Sequence, residues 1–262
     1  MKRRPSICRA ATMVKPIQLS QMNPGQPEIF ASLQGEGPFI GRPSVFVRTS
    51  LCNLQCVWCD TPYTWNWLDT PFTHNQGRKY DRTAQIIAMT PDEVWAQIDR
   101  FTPQDIVLTG GEPMVQQQAL IPLLARIRTE RPQASIDIET NGTLKPHEDF
   151  DPYISHYVVS AKLSNAGMTE DKRLKPESMA LFASSPRASF KFVVAGPDDL
   201  DEVIALQQRF AIEPGRIYLM PEGSTLAAME RHSAQVAALC LQHGFRYSDR
   251  LHLRLYGAKR GT

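Results

Sequence analysis

Three cysteines are crowded into the segment LCNLQCVWCDT, residues 51–61. Cys52, Cys56 and Cys59 follow the pattern C-x3-C-x2-C, and thiolates at this spacing can hold one compact, soft metal centre. A structural zinc site takes four ligands and a disulfide framework takes pairs of cysteines. The trio therefore best fits an iron–sulfur cluster with one iron left open, and an open coordination position is where chemistry occurs.

Two other interpretations of this segment are weaker. His74 would complete a zinc site, but it lies in a loop without zinc-finger spacing. Free cysteines are often buried in a core, yet the segment is rich in turn-forming and polar residues, which argues against three inert thiols.

A second motif, TGGEP at residues 109–113, follows a predicted strand. Gly110 and Gly111 lack a Cβ atom, so the backbone there can approach a ligand closely. Glu112 can accept a hydrogen bond from an ammonium group. The same sequence also fits a tight turn before a helix. The motif indicates a ligand site mainly because it follows the cysteine motif along the chain.

Short apolar, β-branched runs alternate with helical patterns and must position these motifs. Strands are predicted at residues 43–49, 105–110, 135–140, 157–161, 189–194 and 216–220. Helices are predicted at residues 90–101, 115–130, 198–210 and 224–244, with Thr and Ser caps on the first and last. The strand runs are nearly continuous in apolar residues, as in parallel strands that are covered on both faces.

This alternation predicts the α/β class, with an incomplete TIM-type β/α barrel of about six parallel strands. The unusual residues all follow strands, which places them at the carboxyl edge where such folds carry their sites. Residues 1–27 are expected to be a flexible N-terminal tail, residues 28–262 a single domain, and residues 66–89 a surface insertion.

Composition limits the class of protein. The chain has 262 residues, 42% of them hydrophobic, and a formal net charge of +2. This near-neutral balance predicts no nucleic-acid or membrane partner, and no apolar run approaches the roughly 20 residues that span a bilayer. The few, clustered cysteines indicate a reducing cytoplasm.

The cysteine pattern after the first strand, followed by TGGEP, resembles the radical S-adenosylmethionine (SAM) enzymes. That resemblance implies that the open iron of a 4Fe-4S cluster binds SAM and that one electron frees a 5′-deoxyadenosyl radical. The segment EIFASLQGEGPFIGRPSVFVRTSLCNLQCVWCDT (28–61) resembles the 7-carboxy-7-deazaguanine synthase family, and the likeness runs to about Gly257.

The family resemblance implies a lyase reaction in queuosine (preQ0) biosynthesis, a tRNA modification pathway. 6-Carboxy-5,6,7,8-tetrahydropterin would undergo a Mg²⁺-dependent ring contraction to 7-carboxy-7-deazaguanine with loss of ammonia. The implied partners are this pterin, a flavodoxin or ferredoxin as electron donor, and a second copy of the chain in a homodimer. The alternatives are another radical SAM enzyme, such as a glycyl-radical activase, and a non-catalytic zinc-binding protein.

The resemblance also implies roles for single residues, carried over by position. The cluster ligands are Cys52, Cys56 and Cys59, and the Mg²⁺ ligand is Thr61. The implied substrate contacts are Leu33, Gln34, Gly35, Arg48 and Thr109. The implied SAM contacts are Trp58, Cys59, Asp60, Gly111, Glu112, Glu139, Asn141, Ser160, Ala161, Lys162, Met220, Pro221, Glu222 and Gly223. The family more often has S-P-K where this chain has Ser160-Ala161-Lys162.

Overall fold

The computed structural model describes residues 15–262. Its strands are β1 (Ile17–Asn23), β2 (Gln26–Pro27), β3 (Ile29–Leu33), β4 (Pro43–Thr49), β5 (Ile86–Met89), β6 (Asp105–Gly110), β7 (Ile136–Thr140), β8 (His156–Val159), β9 (Ala188–Val194), β10 (Ile217–Pro221) and β11 (Arg246–Tyr247). Its α-helices are α1 (Arg82–Gln85), α2 (Pro91–Ile98), α3 (Gln117–Glu130), α4 (Glu170–Arg173), α5 (Pro176–Ser184), α6 (Pro197–Phe210), α7 (Leu226–His243) and α8 (Leu251–Tyr256).

The strands from β4 onward, except β5, form one parallel sheet in the order β4, β6, β7, β8, β9, β10, β11. All residues of β9 are buried, as expected for a parallel strand that is covered on both faces. The six predicted strands are present at nearly the predicted bounds. Within residues 15–262 the sheet does not close on itself, so the fold is the predicted incomplete β/α barrel.

The edge of the sheet beside β4 is antiparallel and was not predicted. β3 pairs with β4, and β1 pairs with both β4 and β5. The prediction of a flexible tail over residues 1–27 is therefore wrong for residues 17–27, which form β1 and β2; residues 1–14 lie outside the described residues. The insertion predicted at residues 66–89 is not only surface, because Asn66, Trp67 and His74 are buried and its last residues form β5.

Local capping explains where the main helices begin and end. Thr90 caps α2 as predicted, since its side chain accepts a hydrogen bond from the Glu93 amide while the Glu93 carboxylate accepts one from Thr90. The cap of α7 is Thr225 and not the predicted Ser224. Gly244 ends α7 with a φ of 70°, a backbone conformation that glycine adopts without strain.

The connections on the two sides of β8 carry only short helical elements. A 3-10 turn at Asp151–Tyr153 leads into β8, and a second 3-10 turn at Ser164–Ala166, followed by α4 and α5, lies between β8 and β9. The assignment of residues 28–262 to one domain stays a prediction, and the unbroken sheet from β3 to β11 supports it. None of the helices in the described range is long and apolar enough to cross a membrane.

At the end of the barrel opposite the cysteine loop, His156 begins β8, and its environment predicts a loss of stability in acid. Its Nε2 lies 3.0 Å from the Ser189 hydroxyl, and its ring meets Phe39 edge-on. Burial, with the nearby Arg216 and Arg42, lowers the pKa of His156 from 6.5 to about 4. The unfolded chain therefore binds this proton more readily than the folded one, and stability falls as the pH drops from about 6.5 to about 4.

Because the ring is partly exposed, we expect this loss to be on the order of 1 kcal/mol. Urea unfolding of wild type and His156→Gln at pH 7 and pH 5 measures it. The variant should show a smaller acid-induced loss, whereas His147→Gln, at an exposed position, should behave as wild type. Equal losses in wild type and His156→Gln would contradict the assignment.

Candidate active site

The loops that follow the parallel strands enclose one cavity of about 770 Å³. All three cysteines line it, together with nearly all the other residues singled out from the sequence: Leu33, Gln34, Gly35, Arg48, Trp58, Asp60, Thr61, Thr109, Gly111, Glu139, Asn141, Ser160, Lys162, Met220, Pro221, Glu222 and Gly223. Glu112, Ala161 and His74, the residue considered as a zinc ligand, do not line it. Residues far apart in the chain meet here because parallel strands all end at one edge.

The two glycines of TGGEP allow that motif to lie directly against the start of the cysteine loop. A Cβ atom on Gly110 would lie 2.1 Å from the Thr49 carbonyl oxygen, and one on Gly111 would lie 2.1 Å from that of Leu51. The amides of Gly111 and Glu112 donate to these same two oxygens at 3.0 and 2.8 Å. Leu51 has a φ of 71°, a left-handed conformation that this backbone contact holds in place.

The cysteines lie in a small apolar cluster on the cavity wall. Cys56 is only 6% exposed and packs with Leu54 and Ala166. Burial raises the pKa of all three thiols, that of Cys56 to about 12. An apolar wall favours the neutral thiol until a metal cation replaces the protons. Three free, soft sulfur donors on one wall fit an iron–sulfur cluster.

His74 supports the cysteine loop through a hydrogen bond to its backbone. Its Nε2 lies 2.7 Å from the carbonyl oxygen of Cys59, and its Nδ1 accepts from the Gln76 amide at 3.2 Å. Both ring nitrogens are therefore engaged away from the sulfur atoms. Within residues 15–262, no three His, Cys, Asp or Glu side chains converge closely enough to hold a single metal ion. The geometry thus gives no support to a zinc site completed by His74.

Glu112 lies behind the cavity wall and is fully buried. Its carboxylate accepts from the Met114 amide at 3.0 Å, the Thr140 hydroxyl at 2.8 Å and the Asn141 amide at 2.6 Å. Burial raises the pKa of Glu112 despite these donors. In the structure this carboxylate joins the ends of β6 and β7, and its contact with SAM stays a prediction.

On the SAM side predicted from the sequence, Trp58, Ser160 and Lys162 lie together. The Lys162 ammonium donates to the Ser160 hydroxyl at 2.9 Å and sits 5.6 Å from the centre of the Trp58 ring, within cation–π range. The Trp58 indole N–H donates to the Asn165 carbonyl at 3.0 Å. The replacement of the family's proline by Ala161 leaves the Ser160 hydroxyl and the Lys162 ammonium in place.

The cavity is also lined by Arg48, a guanidinium with free donors. Arg48 donates from Nε to the fully buried Glu28 at 2.8 Å. Glu28 also accepts from the Tyr63 hydroxyl at 3.2 Å and from Arg260 at 2.8 Å. Burial by itself lowers the pKa of Arg48, but Tyr63 and Glu28 outweigh it and raise the pKa. Among the described residues, no hydrogen-bond partner is found for its two terminal nitrogens, which are therefore available to a ligand.

Glu139 bridges two of the predicted substrate contacts. It accepts from the Thr109 hydroxyl at 2.7 Å and from the Gln34 side-chain amide at 3.2 Å. The family resemblance implied that Glu139 contacts SAM, whereas in the structure its hydrogen-bond partners are Gln34 and Thr109. Its position at the end of β7 was predicted correctly, but its neighbours could not be read from the sequence.

Sequence reasoning missed a buried charged network on the cavity floor. Lys191, in the middle of β9, pairs with Glu36, and Arg250 and His252 line the same region. Burial by itself raises the pKa of Glu36, but Lys191 and Arg250 outweigh it and hold the pKa well below its usual range. A lysine within the otherwise apolar run SFKFVV was the available signal, because a fully buried lysine is rare without a partner.

Comparisons with known proteins agree with this geometry. Residues 33–176 match a family model described as a 4Fe-4S single cluster domain. The chain is 36% identical to the 7-carboxy-7-deazaguanine synthase of Pyrobaculum aerophilum, over 89% of this chain and 95% of that protein. It is 34% identical to the Halobacterium salinarum enzyme of the same name, over 87% and 89% of the two chains.

The fold is also similar to that of a solved structure. The chain resembles the crystal structure of QueE from Escherichia coli with a TM-score of 0.64 and 25% sequence identity, over 90% of this chain and 95% of that one. These three relatives are matched over 89% to 95% of their own length. The chain therefore belongs to the 7-carboxy-7-deazaguanine synthase family of radical SAM enzymes.

Proposed function

We propose that this protein is a 7-carboxy-7-deazaguanine synthase, a lyase that contracts the ring of 6-carboxy-5,6,7,8-tetrahydropterin with loss of ammonia. The observation that carries the proposal is that one cavity is lined both by the three cysteines and by Arg48, whose terminal nitrogens have no hydrogen-bond partner among the described residues. A volume of about 770 Å³ lies within the range of small-molecule and cofactor sites.

Cys52, Cys56 and Cys59 would hold the 4Fe-4S cluster, and Trp58, Lys162 and the loop after β10 would hold SAM. When bound, the cluster and SAM supply the one-electron chemistry that removes a hydrogen atom from the substrate. The cavity lies at the carboxyl edge of the sheet, where the surrounding loops shield bound ligands from water.

The chain's own polar groups would bind and orient the pterin. The planar fork of Arg48 suits the substrate carboxylate, while Glu28 fixes the direction of that fork by holding Nε. Gln34, Thr109 and Glu139 form one hydrogen-bonded group that can meet the polar edge of the ring. Fixed donors and acceptors of this kind hold the reacting carbon in one place without reorganisation.

Anaerobic reconstitution tests this function. The protein is loaded with iron and sulfide, then given a reductant, SAM, Mg²⁺ and the carboxylated pterin, and the deazaguanine product and ammonia are measured. A brown protein that cleaves SAM but leaves the pterin unchanged would favour another radical SAM enzyme, such as a glycyl-radical activase. A colourless protein with about one zinc ion would overturn the proposal.

Thr61 is the proposed Mg²⁺ ligand, because a hydroxyl oxygen suits this hard cation and Mg²⁺ takes few protein ligands. Thr61 lines the cavity two residues after the last cluster cysteine, with its hydroxyl 3.7 Å from the Cys59 sulfur. We expect Thr61→Ala to keep the cluster but to raise the Mg²⁺ concentration for half-maximal activity by about tenfold or more. Mg²⁺ titrations of product formation measure this, and Thr61→Ser, which keeps a hydroxyl, is the matched control. Identical titrations for Thr61→Ala and wild type would remove Thr61 from the metal site.

The proposed electron donor is a flavodoxin or ferredoxin, since the cluster chemistry consumes single electrons at low potential. A homodimer and a cytoplasmic location are proposed with it. The free thiols at Cys52, Cys56, Cys59 and Cys240 support a reducing compartment, and sedimentation of the reconstituted protein tests the dimer.

A further inference from the structure

Arg250 joins three separate loops of the site through one side chain. It is 6% exposed and lines the cavity from the segment just before α8. Its Nε donates to the Glu36 carboxylate at 3.0 Å, and its two terminal nitrogens donate to the Asp60 carboxylate and, at 2.6 Å, to the Gly223 carbonyl. One guanidinium can contact all three acceptors at once only when the three loops are held in one arrangement.

The three partners belong to three different segments of the proposed site. Glu36 directly follows the proposed substrate contacts at residues 33–35, whereas Asp60 directly follows a cluster cysteine. Gly223 ends the segment after β10 that is proposed to line SAM. Arg250 thus bridges the pterin loop to the two SAM loops.

The chain around Arg250 is docked firmly on the pterin loop. The Leu251 amide donates to the Gly35 carbonyl at 2.9 Å, and the Gly37 amide donates to the Ser248 hydroxyl at 2.8 Å. A Cβ on Gly35 would lie 2.5 Å from the His252 ring. These contacts keep the Arg250 guanidinium beside Glu36. Whether the guanidinium also contacts Asp60 therefore depends on the position of the cysteine loop.

Charge alternates along this network, from Lys191 to Glu36 to Arg250 to Asp60. Glu36 has Lys191 as a second cation and would stay paired without Arg250. Asp60, whose side chain is half exposed, would lose its only ion-pair partner among the described residues and could turn to solvent. Removal of the arginine therefore separates the two loops without leaving a buried carboxylate unpaired.

We propose that Arg250 is a positioning residue that couples the binding of the pterin to the binding of SAM. This inference rests on the proposed function. SAM fixes the loops that carry Asp60 and Gly223, Arg250 then holds Glu36 and the adjoining pterin contacts in their binding arrangement, and the pterin consequently binds more tightly. By linkage, the pterin must raise the affinity for SAM by the same factor.

Calorimetric titration of SAM into the reconstituted, oxidised protein, with and without saturating pterin, measures the coupling. Without an electron donor neither ligand reacts, so true affinities are obtained. We expect the pterin to tighten SAM binding by about fivefold or more in wild type. In Arg250→Gln this factor should fall close to one, while each ligand still binds alone.

Three further variants separate coupling from general damage. Arg254→Gln removes a nearby arginine of α8 that pairs with Asp249 and Glu230 outside the cavity, and it should keep the wild-type factor. Arg250→Lys keeps the charge but cannot span both carboxylates, and Asp60→Asn breaks the bridge at its exposed end. Both should lose the coupling, and the double variant Arg250→Gln/Asp60→Asn should lose no more than either single change.

A wild-type coupling factor near one would overturn the proposal, as would an unchanged factor in Arg250→Gln or in Asp60→Asn. If Arg250→Gln does not assemble its cluster, Arg250→Lys and Asp60→Asn decide the question. A protein that binds SAM but never the pterin would instead overturn the proposed function, so the two failures are distinguishable.

Discussion

Replacement of Cys56 by alanine is expected to abolish both the cluster absorbance and the cleavage of SAM. Cys56 is the middle cysteine of the trio and lies between Leu54 and Ala166 in the apolar wall. With two sulfur ligands left, no protein donor in this wall can take its place, because His74 is turned to the backbone of Cys59. The loss should therefore be essentially complete, and not a partial reduction in rate.

The measurement is the visible absorbance, the iron and sulfide content and the yield of 5′-deoxyadenosine after anaerobic reconstitution. Cys240→Ala is the matched control, since Cys240 is a buried cysteine of α7 that packs in the main core and does not line the cavity. It should keep the cluster and SAM cleavage at wild-type levels. Retention of either signal in Cys56→Ala would rule out the three-cysteine cluster.

The parallel half of the fold could be predicted because its signals are local. Each of the strands from β4 to β10, apart from β5, is a short apolar run with a polar or glycine-bearing loop behind it, so its boundaries are visible in the sequence. β1 gave no such signal. Its residues IQLSQMN are half polar, and they form a strand because β4 and β5, the latter about 70 positions further along the chain, pair with them.

The candidate site also has a part that the sequence could predict and a part that it could not. The cysteines and TGGEP are compact motifs, and their meeting follows from the order of the strands. The network of Glu36, Lys191 and Arg250 joins residues separated by 155 and 214 positions, and no local pattern marks such partners. The segment around His74 was predicted to be a surface insertion, yet it supports the cysteine loop through Cys59 and through the Val57 carbonyl, which accepts from the Asn75 amide at 2.8 Å.

Arg48→Gln is expected to lower kcat/KM for the carboxylated pterin by about 100-fold, because a charge-assisted, bidentate contact to a carboxylate contributes about 2–3 kcal/mol. Arg48→Lys should lose nearly as much. The single ammonium of lysine cannot bind Glu28 and the substrate carboxylate at the same time. It would pair mainly with Glu28. Cluster content and SAM affinity should stay unchanged in both variants, since Arg48 is held by Glu28 and, among the described residues, has no hydrogen bond to the cysteine loop.

The substrate carboxylate itself supplies the control for this prediction. A tetrahydropterin without the 6-carboxylate cannot use the terminal nitrogens of Arg48, so wild type and Arg48→Gln should bind it with equal affinity as an inhibitor. The preference for the carboxylated ligand should therefore disappear in the variant, and this comparison isolates one contact from any general disturbance of the cavity. If Arg48→Gln still preferred the carboxylated pterin as strongly as wild type does, the carboxylate would have to bind elsewhere in the cavity. Arg260, which donates to Glu28 and stacks 3.7 Å from the centre of the Tyr63 ring, would then be the next residue to replace.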